Sequence, residues 1–243
     1  MSIARKILMG SSGGKKSTYV DDVFSTYLYR GTATESGNTG QTITNGIDLA
    51  GEGGMSWLKV RTNSTRHAVV DTVRGAGRML ATNETSASTA EDLTGLASFN
   101  SDGFTLGNES GGYQRCNMQN QDYASWSFRK QKGFFDVLTY TGNGSNRTIA
   151  HNLGSVPGSI WIKCTSEAGR EWTIFHRGLA PVDPASYRIR FTNGPRQGNA
   201  GYFNSTEPTS THFSLGSNSD TNANGQSYVA YIFAGGASTA ATA

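Results

Sequence analysis

The stretch Gly54-Met55-Ser56-Trp57-Leu58-Lys59 decides the fold, because a second version of it, Gly158-Ser159-Ile160-Trp161-Ile162-Lys163, follows 104 residues later. Other blocks recur in the same order at similar offsets. They are Thr26-Tyr27 with Thr139-Tyr140, Thr42-Ile43 with Thr148-Ile149, Arg74-Gly75 with Arg177-Gly178, Phe104–Gly107 with Phe213–Gly216, and Tyr123–Phe128 with Tyr228–Phe233. Collinear blocks of this kind indicate an internal repeat, with insertions confined to the loops between them.

The repeated blocks have the composition of β-strands. They are rich in aromatic and β-branched residues, and Tyr187–Phe191 alternates apolar with charged side chains as a half-buried strand does. Turn signals such as Gly142-Asn143-Gly144 and Asn224-Gly225 separate them. The pattern predicts an all-β chain of two tandem, duplicated β-sandwich domains of jelly-roll-like type, with an extended N-terminal arm.

The repeat also sets the predicted domain boundaries. We predict a docking arm over residues 1–23, a first β-sandwich repeat over 24–132, a second over 133–235, and a flexible tail over 236–243. The polar, basic stretch Arg129–Gly133 forms a short linker between the two domains.

Composition excludes several classes of function. Only 16% of the residues are charged and the net charge is +3, which does not favour binding to nucleic acid or an anionic membrane. The apolar run Ile7-Leu8-Met9 is too short for a signal peptide, and no membrane span follows it. The two cysteines, Cys116 and Cys164, are expected to be free thiols.

Aromatic residues that recur in both halves are the predicted core. They are Trp57, Trp161, Phe104, Phe213, Trp126, Tyr231, Phe128 and Phe233. Trp172 has no counterpart and stands beside Arg170 and Glu171, so it is the candidate for contact with a ligand. The repeated Arg74 and Arg177 are predicted to be structural, each holding a carboxylate or main-chain carbonyls under a turn.

No catalytic, cofactor or metal site is predicted. Asp220–Gly225 matches the first half of a calcium loop, but Tyr231 stands where the bidentate glutamate belongs. A nucleophilic pair of Cys164 and His176 has no supporting motif, and no histidine pair has zinc spacing. We therefore expect a protein without enzymatic activity.

Several segments resemble virion proteins of marine tailed phages, of the cyanophage and pelagiphage type. The likeness rests on Met1–Gly10, Tyr19–Tyr29, Phe104–Gly107, Gly133–Val137, His151–Gly154, Pro157-Gly158, Trp161–Lys163 and Phe213–Gly216. It spans nearly the whole chain and implies a tail-fibre-like or other surface component of the virion, assembled in the bacterial cytoplasm. It supplies no catalytic residues.

Three functions remain open at this point. The first is a tail fibre or tail-associated host-contact protein, with the N-terminal arm bound to other virion proteins and loops 108–122 and 193–210 facing a host glycan or receptor. Such proteins form homo-oligomers, and a trimer is compatible with the sequence. The second is a capsid decoration or knob protein. The third is a glycan-binding or glycan-processing module.

Overall fold

The fold is taken from a computed structural model, which describes residues 18–33, 40–90, 95–107, 116–192 and 194–236. Strands dominate these ranges, and the helices are single short turns, so the predicted all-β class is confirmed. Most of the predicted docking arm, nearly all of the C-terminal tail and most of loop 108–122 lie outside the described residues.

The chain divides into two compact units. The first consists of the described residues up to Ala81 together with Thr89–Lys130, and the second consists of Thr82–Ser88 with the described residues from Gln131 onward. The sequence assigned the short segment Thr82–Ser88 to the first repeat. It groups with the second unit because Ser88 N donates to Thr165 O (3.0 Å) and Gly169 N donates to Thr85 O (2.9 Å).

The first unit contains two antiparallel sheets. Its strands are β1 (Phe24–Arg30), β2 (Gln41–Thr44), β3 (Gly54–Val60), β4 (Ala68–Asp71), β5 (Arg78–Ala81), β6 (Thr89–Ala90), β7 (Leu96–Asn100), β8 (Gly103–Leu106) and β9 (Asp122–Arg129). The larger sheet has the order β1-β9-β3-β4-β5-β6 and the smaller β2-β8-β7. A 3-10 turn, Val20–Asp22, precedes β1, and a helical turn, α1 (Leu49–Glu52), precedes β3. Asp48 caps α1 by accepting from Gly51 N.

The second unit has a related arrangement. Its strands are β10 (Phe135–Thr141), β11 (Arg147–Ala150), β12 (Pro157–Cys164), β13 (Thr173–His176), β14 (Tyr187–Arg188), β15 (Gln197–Gly198), β16 (His212–Leu215) and β17 (Ser227–Ala234). The sheets have the orders β10-β17-β12-β13, β11-β16 and β14-β15. A 3-10 turn, Pro184–Ser186, precedes β14, and a helical turn, α2 (Ser219–Asn222), precedes β17.

Strand order in the second unit repeats that of the first. The order β10-β17-β12-β13 corresponds strand by strand to β1-β9-β3-β4, and β11-β16 corresponds to β2-β8. Register agrees as well, since Trp57 lies opposite Trp126 and Trp161 lies opposite Tyr231. Each unit has its own apolar core, drawn from both of its larger sheets.

Register corrects two of the sequence pairings. Tyr29 lies opposite Tyr123 and Tyr140 lies opposite Tyr228, so the counterpart of Tyr140 is Tyr29 and not Tyr27. The sequence comparison had displaced this pairing by two residues. Because side chains alternate with a period of two along a strand, a displacement of two leaves the pattern of inward and outward residues unchanged and cannot be detected from it.

The second displaced pairing concerns the arginines. Asp71 lies opposite Met55 and His176 lies opposite Ser159, which places Arg177 at the position of Thr72. Thr72 N and Arg177 N both donate to the carbonyl of a glycine in the neighbouring strand, at 3.0 Å in each unit. Arg74 and Arg177 are therefore not equivalent.

The predicted aromatic core is only partly correct. Phe104 and Phe213 are buried in the two core clusters, as expected. The prediction is wrong for residues that lie on the opposite face of the larger sheets and are half-buried, namely Trp57, Trp161, Trp126, Phe128 and Phe233. Tyr231 is buried, but it too lies on that opposite face. Successive side chains of a strand point to opposite faces, and here Leu58, Ile160 and Ile162 take the core face.

Candidate functional site

Trp172 is fully buried, so the prediction that it contacts a ligand is wrong. Its indole packs edge-on against Phe191, with ring centroids 5.3 Å apart, and lies 6.1 Å from the ring of Tyr231. Trp172 thus serves as an apolar anchor for the segment that follows β13.

Charged residues around Trp172 are paired with one another. Arg188 Nη1 lies 2.7 Å from Asp220 Oδ2, and its guanidinium also stacks 4.0 Å from the ring centroid of Tyr202. Arg190 Nη1 lies 3.3 Å from Glu171 Oε1. These pairs connect the β14–β15 hairpin with β13 and α2, so they hold the fold together locally. Asp220, which would have to be a ligand in a calcium loop, is thus paired with Arg188.

Lys163 is a fully buried lysine with a cage of main-chain acceptors. Its Nζ donates to the carbonyl oxygens of Arg170 (2.9 Å), Cys164 (3.2 Å) and Thr85 (3.3 Å). The lysine therefore ties the segment Thr82–Ser88 to the β12–β13 loop. Burial lowers the pKa of Lys163 to about 8.

The counterpart Lys59 repeats this scheme in part. Its Nζ donates to the carbonyl oxygens of Val60 (2.8 Å) and Asn63 (3.2 Å). In both units the lysine bonds the carbonyl of the next residue and one carbonyl of the following loop, so the repeated basic residue closes the loop between two strands. Lys59 is less buried, and its pKa is lowered by burial alone.

A shallow, open cleft lies in the second unit beside Thr85, whose carbonyl oxygen accepts from Lys163. It encloses about 420 Å³, and its lining residues are Asn83, Glu84, Thr85, Ser86, Ala168, Gly169 and Thr192. Five of the seven lining residues carry a hydroxyl, amide or carboxylate group, so the cleft offers hydrogen bonds but no aromatic platform. Its size and these groups are compatible with a small ligand that bears hydroxyl groups.

The low pKa of Lys163 predicts that the second unit becomes more stable as the pH rises from about 8 to about 10. In this window the unfolded chain, with a lysine pKa near 10.5, still binds the proton that the folded chain has released, so the free energy of unfolding increases with pH. The full shift corresponds to at most about 3 kcal/mol. Above pH 10 the trend reverses, because burial raises the pKa values of Tyr140 and Tyr228 and keeps both protonated only in the folded state.

Urea denaturation of the full chain between pH 7 and pH 10, with hydrogen exchange to identify the unit that unfolds, measures this effect. Lys163→Met removes the titrating group, and the rise should largely disappear. Lys132→Met, at an exposed lysine of the same unit, should retain the full slope. An equal slope in both variants would contradict the assignment.

The two arginines predicted to be structural differ in their surroundings. Arg74 is buried against Asp71, with Nη2 and Oδ2 2.6 Å apart and both side chains nearly inaccessible. Arg74 N also donates to Asp71 Oδ1 (2.9 Å). Arg177 is exposed and donates to Gly236 O (3.1 Å). The predicted carboxylate partner is present for Arg74, and a carbonyl partner for Arg177.

A buried asparagine that the sequence reasoning missed organises the second unit. Asn222 is fully buried, and its Oδ1 accepts from Asn143 N (3.0 Å). Its Nδ2 donates to the carbonyl oxygens of Ser145 (2.7 Å) and Gly216 (2.8 Å). One amide thus joins the β10–β11 loop to the residues that follow β16.

Asn117 has the same role in the first unit. It is fully buried, its Oδ1 accepts from Thr32 N (2.9 Å), and its Nδ2 donates to Gly107 O (3.4 Å). Gly107 and Gly216 are the final residues of the repeated Phe-Thr/Ser-Leu-Gly blocks. The buried amide is therefore part of the repeat.

A stacked pair of tyrosines accompanies each asparagine. The ring centroids of Tyr29 and Tyr123 are 4.9 Å apart, and those of Tyr140 and Tyr228 are 5.2 Å apart. In each pair the first hydroxyl donates to the carbonyl of the residue just before the asparagine, at 2.7 and 2.6 Å. The second hydroxyl accepts from the N–H of the residue just after it, at 2.9 and 2.8 Å.

A sequence signal for this network exists. The pattern Asn-x-x-x-Gln-x-Tyr occurs at residues 117–123 and again at 222–228. Within it Asn120 (φ 62°) and Gly225 (φ 76°) occupy the same place in left-handed conformation, which asparagine and glycine tolerate best. Gln121 Oε1 and Gln226 Oε1 accept from the hydroxyls of Thr62 and Ser166, at 2.7 Å in both cases.

Other candidate groups do not come together as a reactive centre. Cys116 and Cys164 are thiols outside any disulfide bond, as expected, and both are buried. Within the described ranges, no group of three or more His, Cys, Asp or Glu side chains is placed to hold a metal ion. His151 Nδ1 accepts from Leu153 N (3.3 Å), and burial lowers the pKa of His151.

No helix in the described part of the chain is long and apolar enough to span a membrane.

Comparison with known proteins identifies a family for this chain. A family model described as a domain of unknown function, DUF7483, matches residues 19–239. No curated protein matches the chain, and no solved structure does. Because the match covers nearly the entire sequence, this chain belongs to the DUF7483 family.

Proposed function

We propose that this chain is a non-enzymatic structural protein of a tailed bacteriophage virion, acting as a tail fibre or tail-associated host-contact protein. The proposal rests on the resemblance of its sequence to virion proteins and on one observation in the fold. Both units use their recurring polar residues for the same internal hydrogen bonds, centred on Asn117 and Asn222. Repeated polar residues that bond the main chain of their own unit serve architecture.

The same observation supports a finer statement about the fold. We infer that the two units are copies of one ancestral β-sandwich domain of jelly-roll-like type. Equal strand order, equal register at Trp57 and Trp161, and the shared asparagine and tyrosine network support common descent more strongly than the short sequence blocks alone.

Host contact is assigned to places where the units differ. The segment Thr82–Ser88 with the cleft beside Thr85 and Gly169 belongs to the second unit, and in the connection between β13 and β16 the strands β14 and β15 form a separate hairpin, whereas β5 and β6 of the first unit extend the larger sheet. The N-terminal arm is assigned to binding other virion proteins, in a homo-oligomer.

Location and copy number in the particle test the proposal. Quantitative mass spectrometry of purified virions, combined with cryo-electron microscopy of particles labelled with an antibody against this chain, measures both. Tens of copies or fewer at the tail are expected. Hundreds of copies on the capsid lattice would instead support a capsid decoration or knob protein, and absence from the particle would overturn the proposal.

The polar cleft favours a second candidate, a glycan-binding module. Its hydroxyl, amide and carboxylate lining can exchange hydrogen bonds with the hydroxyls of a sugar. A glycan array with the wild-type chain, with Asn83→Ala as the comparison, tests this candidate. Binding that Asn83→Ala weakens would support it, while a silent array together with inactivity on polysaccharides would remove the glycan-binding and glycan-processing alternatives.

A further inference from the structure

Within the described ranges, no strand pairs with the outer edge of β1. β1 pairs with β9 over seven consecutive residues without a bulge. Val23 O and Gly31 N, at its two ends, both bond β9 or the residues next to it. Main-chain groups of antiparallel strands alternate in direction, so Phe24, Thr26, Leu28 and Arg30 turn their N–H and C=O groups away from β9. No described residue bonds these outward groups.

The corresponding edge of the second unit is protected. β10 is the counterpart of β1, and its outward-facing residue Phe135 exchanges two main-chain hydrogen bonds with Gln131, at 2.9 and 3.0 Å. The next outward N–H, that of Val137, donates to Asp136 Oδ1 (2.9 Å). Arg147 Nη1 donates to the outward carbonyl of Thr141 (2.8 Å), so the second unit has partners at the positions equivalent to Phe24, Thr26 and Arg30.

The side chains of β1 are compatible with the addition of another strand at this edge. Leu28 is 59% exposed and Tyr27 is 38% exposed. The strand contains no proline and no lysine, which natural proteins place on edge strands to prevent association. Its one charge is Arg30, at the C-terminal end, whereas Asp21 and Asp22 stand just before its N-terminal end.

We propose that β1 pairs antiparallel with β1 of a second copy of this chain, about a two-fold axis at Tyr27. In this register Thr26 exchanges main-chain hydrogen bonds with Leu28 of the second copy, and the two Tyr27 side chains are cross-strand neighbours. The basic end of each strand lies beside the acidic approach to the other. This charge complementarity favours a second copy over an unrelated strand, and the antiparallel over the parallel direction. The inference concerns assembly and does not depend on where the protein is located in a virion.

Matched lysine substitutions test the pairing. Leu28→Lys places a charge on the open edge, whereas Thr139→Lys places the same charge on an exposed residue at the equivalent position of the protected edge. Light scattering after size-exclusion chromatography of the full chain should give twice 25.9 kDa, or a multiple of it, for wild type and Thr139→Lys. Leu28→Lys should halve the molar mass of the oligomer and leave the circular dichroism spectrum unchanged.

A disulfide tests the register independently of stability. Residues opposed in a non-hydrogen-bonded pair have Cα atoms about 4.5 Å apart, within the range of a disulfide. Tyr27→Cys should give a covalent dimer under mild oxidation, while Thr139→Cys should not. A monomeric wild-type chain, an oligomer unaffected by Leu28→Lys, or no cross-link at Tyr27→Cys would each overturn the proposal.

Discussion

Asn222→Ala is expected to lower the free energy of unfolding of the second unit by about 3–5 kcal/mol, since it removes the four hydrogen bonds of a buried amide, at about 1 kcal/mol each, and deprives the buried Gly216 O of this partner. The amide joins its own segment to two others: it accepts from Asn143 N and donates to Ser145 O in the β10–β11 loop, and it donates to Gly216 O after β16. The alanine methyl group can make none of these bonds, and the side chain that makes them is fully buried.

Asn224→Ala provides the control, because Asn224 is an exposed asparagine in the same turn. Its substitution should change the free energy of unfolding by less than about 0.5 kcal/mol. Urea denaturation of the full chain measures both variants, and peptide-resolved hydrogen exchange identifies the unit that opens. If Asn222→Ala were no more destabilising than Asn224→Ala, the buried amide would not be the organising element of this unit.

The duplication extends the prediction to the first unit. Asn117→Ala should destabilise that unit in the same sense, with the exposed Gln119→Ala as its control. The bond from Asn117 Nδ2 to Gly107 O (3.4 Å) is longer than the equivalent bond from Asn222 Nδ2 to Gly216 O (2.8 Å), so the loss should be smaller, at about 2–3 kcal/mol.

The all-β class could be predicted because it depends on local composition, and the repeated blocks pointed to two similar arrangements of strands. Aromatic and β-branched residues mark strands, and two collinear series of blocks imply two similar arrangements. The face of each strand that is buried could not be predicted in the same way. In β3 and β12 both faces carry apolar side chains, so alternation did not reveal that Trp57 and Trp161 lie away from the cores.

The candidate site was harder to predict because its determinants are distant in sequence. Arg170 and Glu171 made Trp172 seem exposed, yet Glu171 pairs with Arg190, and Phe191 packs against the indole. Nothing local to Thr82–Ser88 indicates that this segment joins the second unit through the Lys163 cage. The two buried asparagines were overlooked for a compositional reason, because in a chain rich in Asn and Gly such residues resemble ordinary turn formers.

Arg74→Met is expected to destabilise the first unit by about 3–5 kcal/mol, because it leaves the Asp71 carboxylate buried without its counter-charge. Asp71 is fully buried, and its Oδ2 accepts from both Nε and Nη2 of Arg74, at 2.6 Å in each case. Methionine has a similar reach along the apolar part of the chain, so the loss reports mainly on the removal of the Arg74 charge. Urea denaturation with hydrogen exchange provides the measurement.

A double variant separates the charge from the hydrogen bonds. Asp71→Asn combined with Arg74→Met removes both charges but keeps a side-chain oxygen to accept from Arg74 N, now the N–H of the methionine, so at least half of the lost stability should return. Arg177→Met is the matched control in the second unit. Arg177 is exposed and bonds one carbonyl, that of Gly236, so its loss should cost less than about 1 kcal/mol. Equal losses for Arg74→Met and Arg177→Met would mean that the shared Arg-Gly dipeptide reflects one structural role, and the two-residue displacement seen in the strand register would then need another explanation.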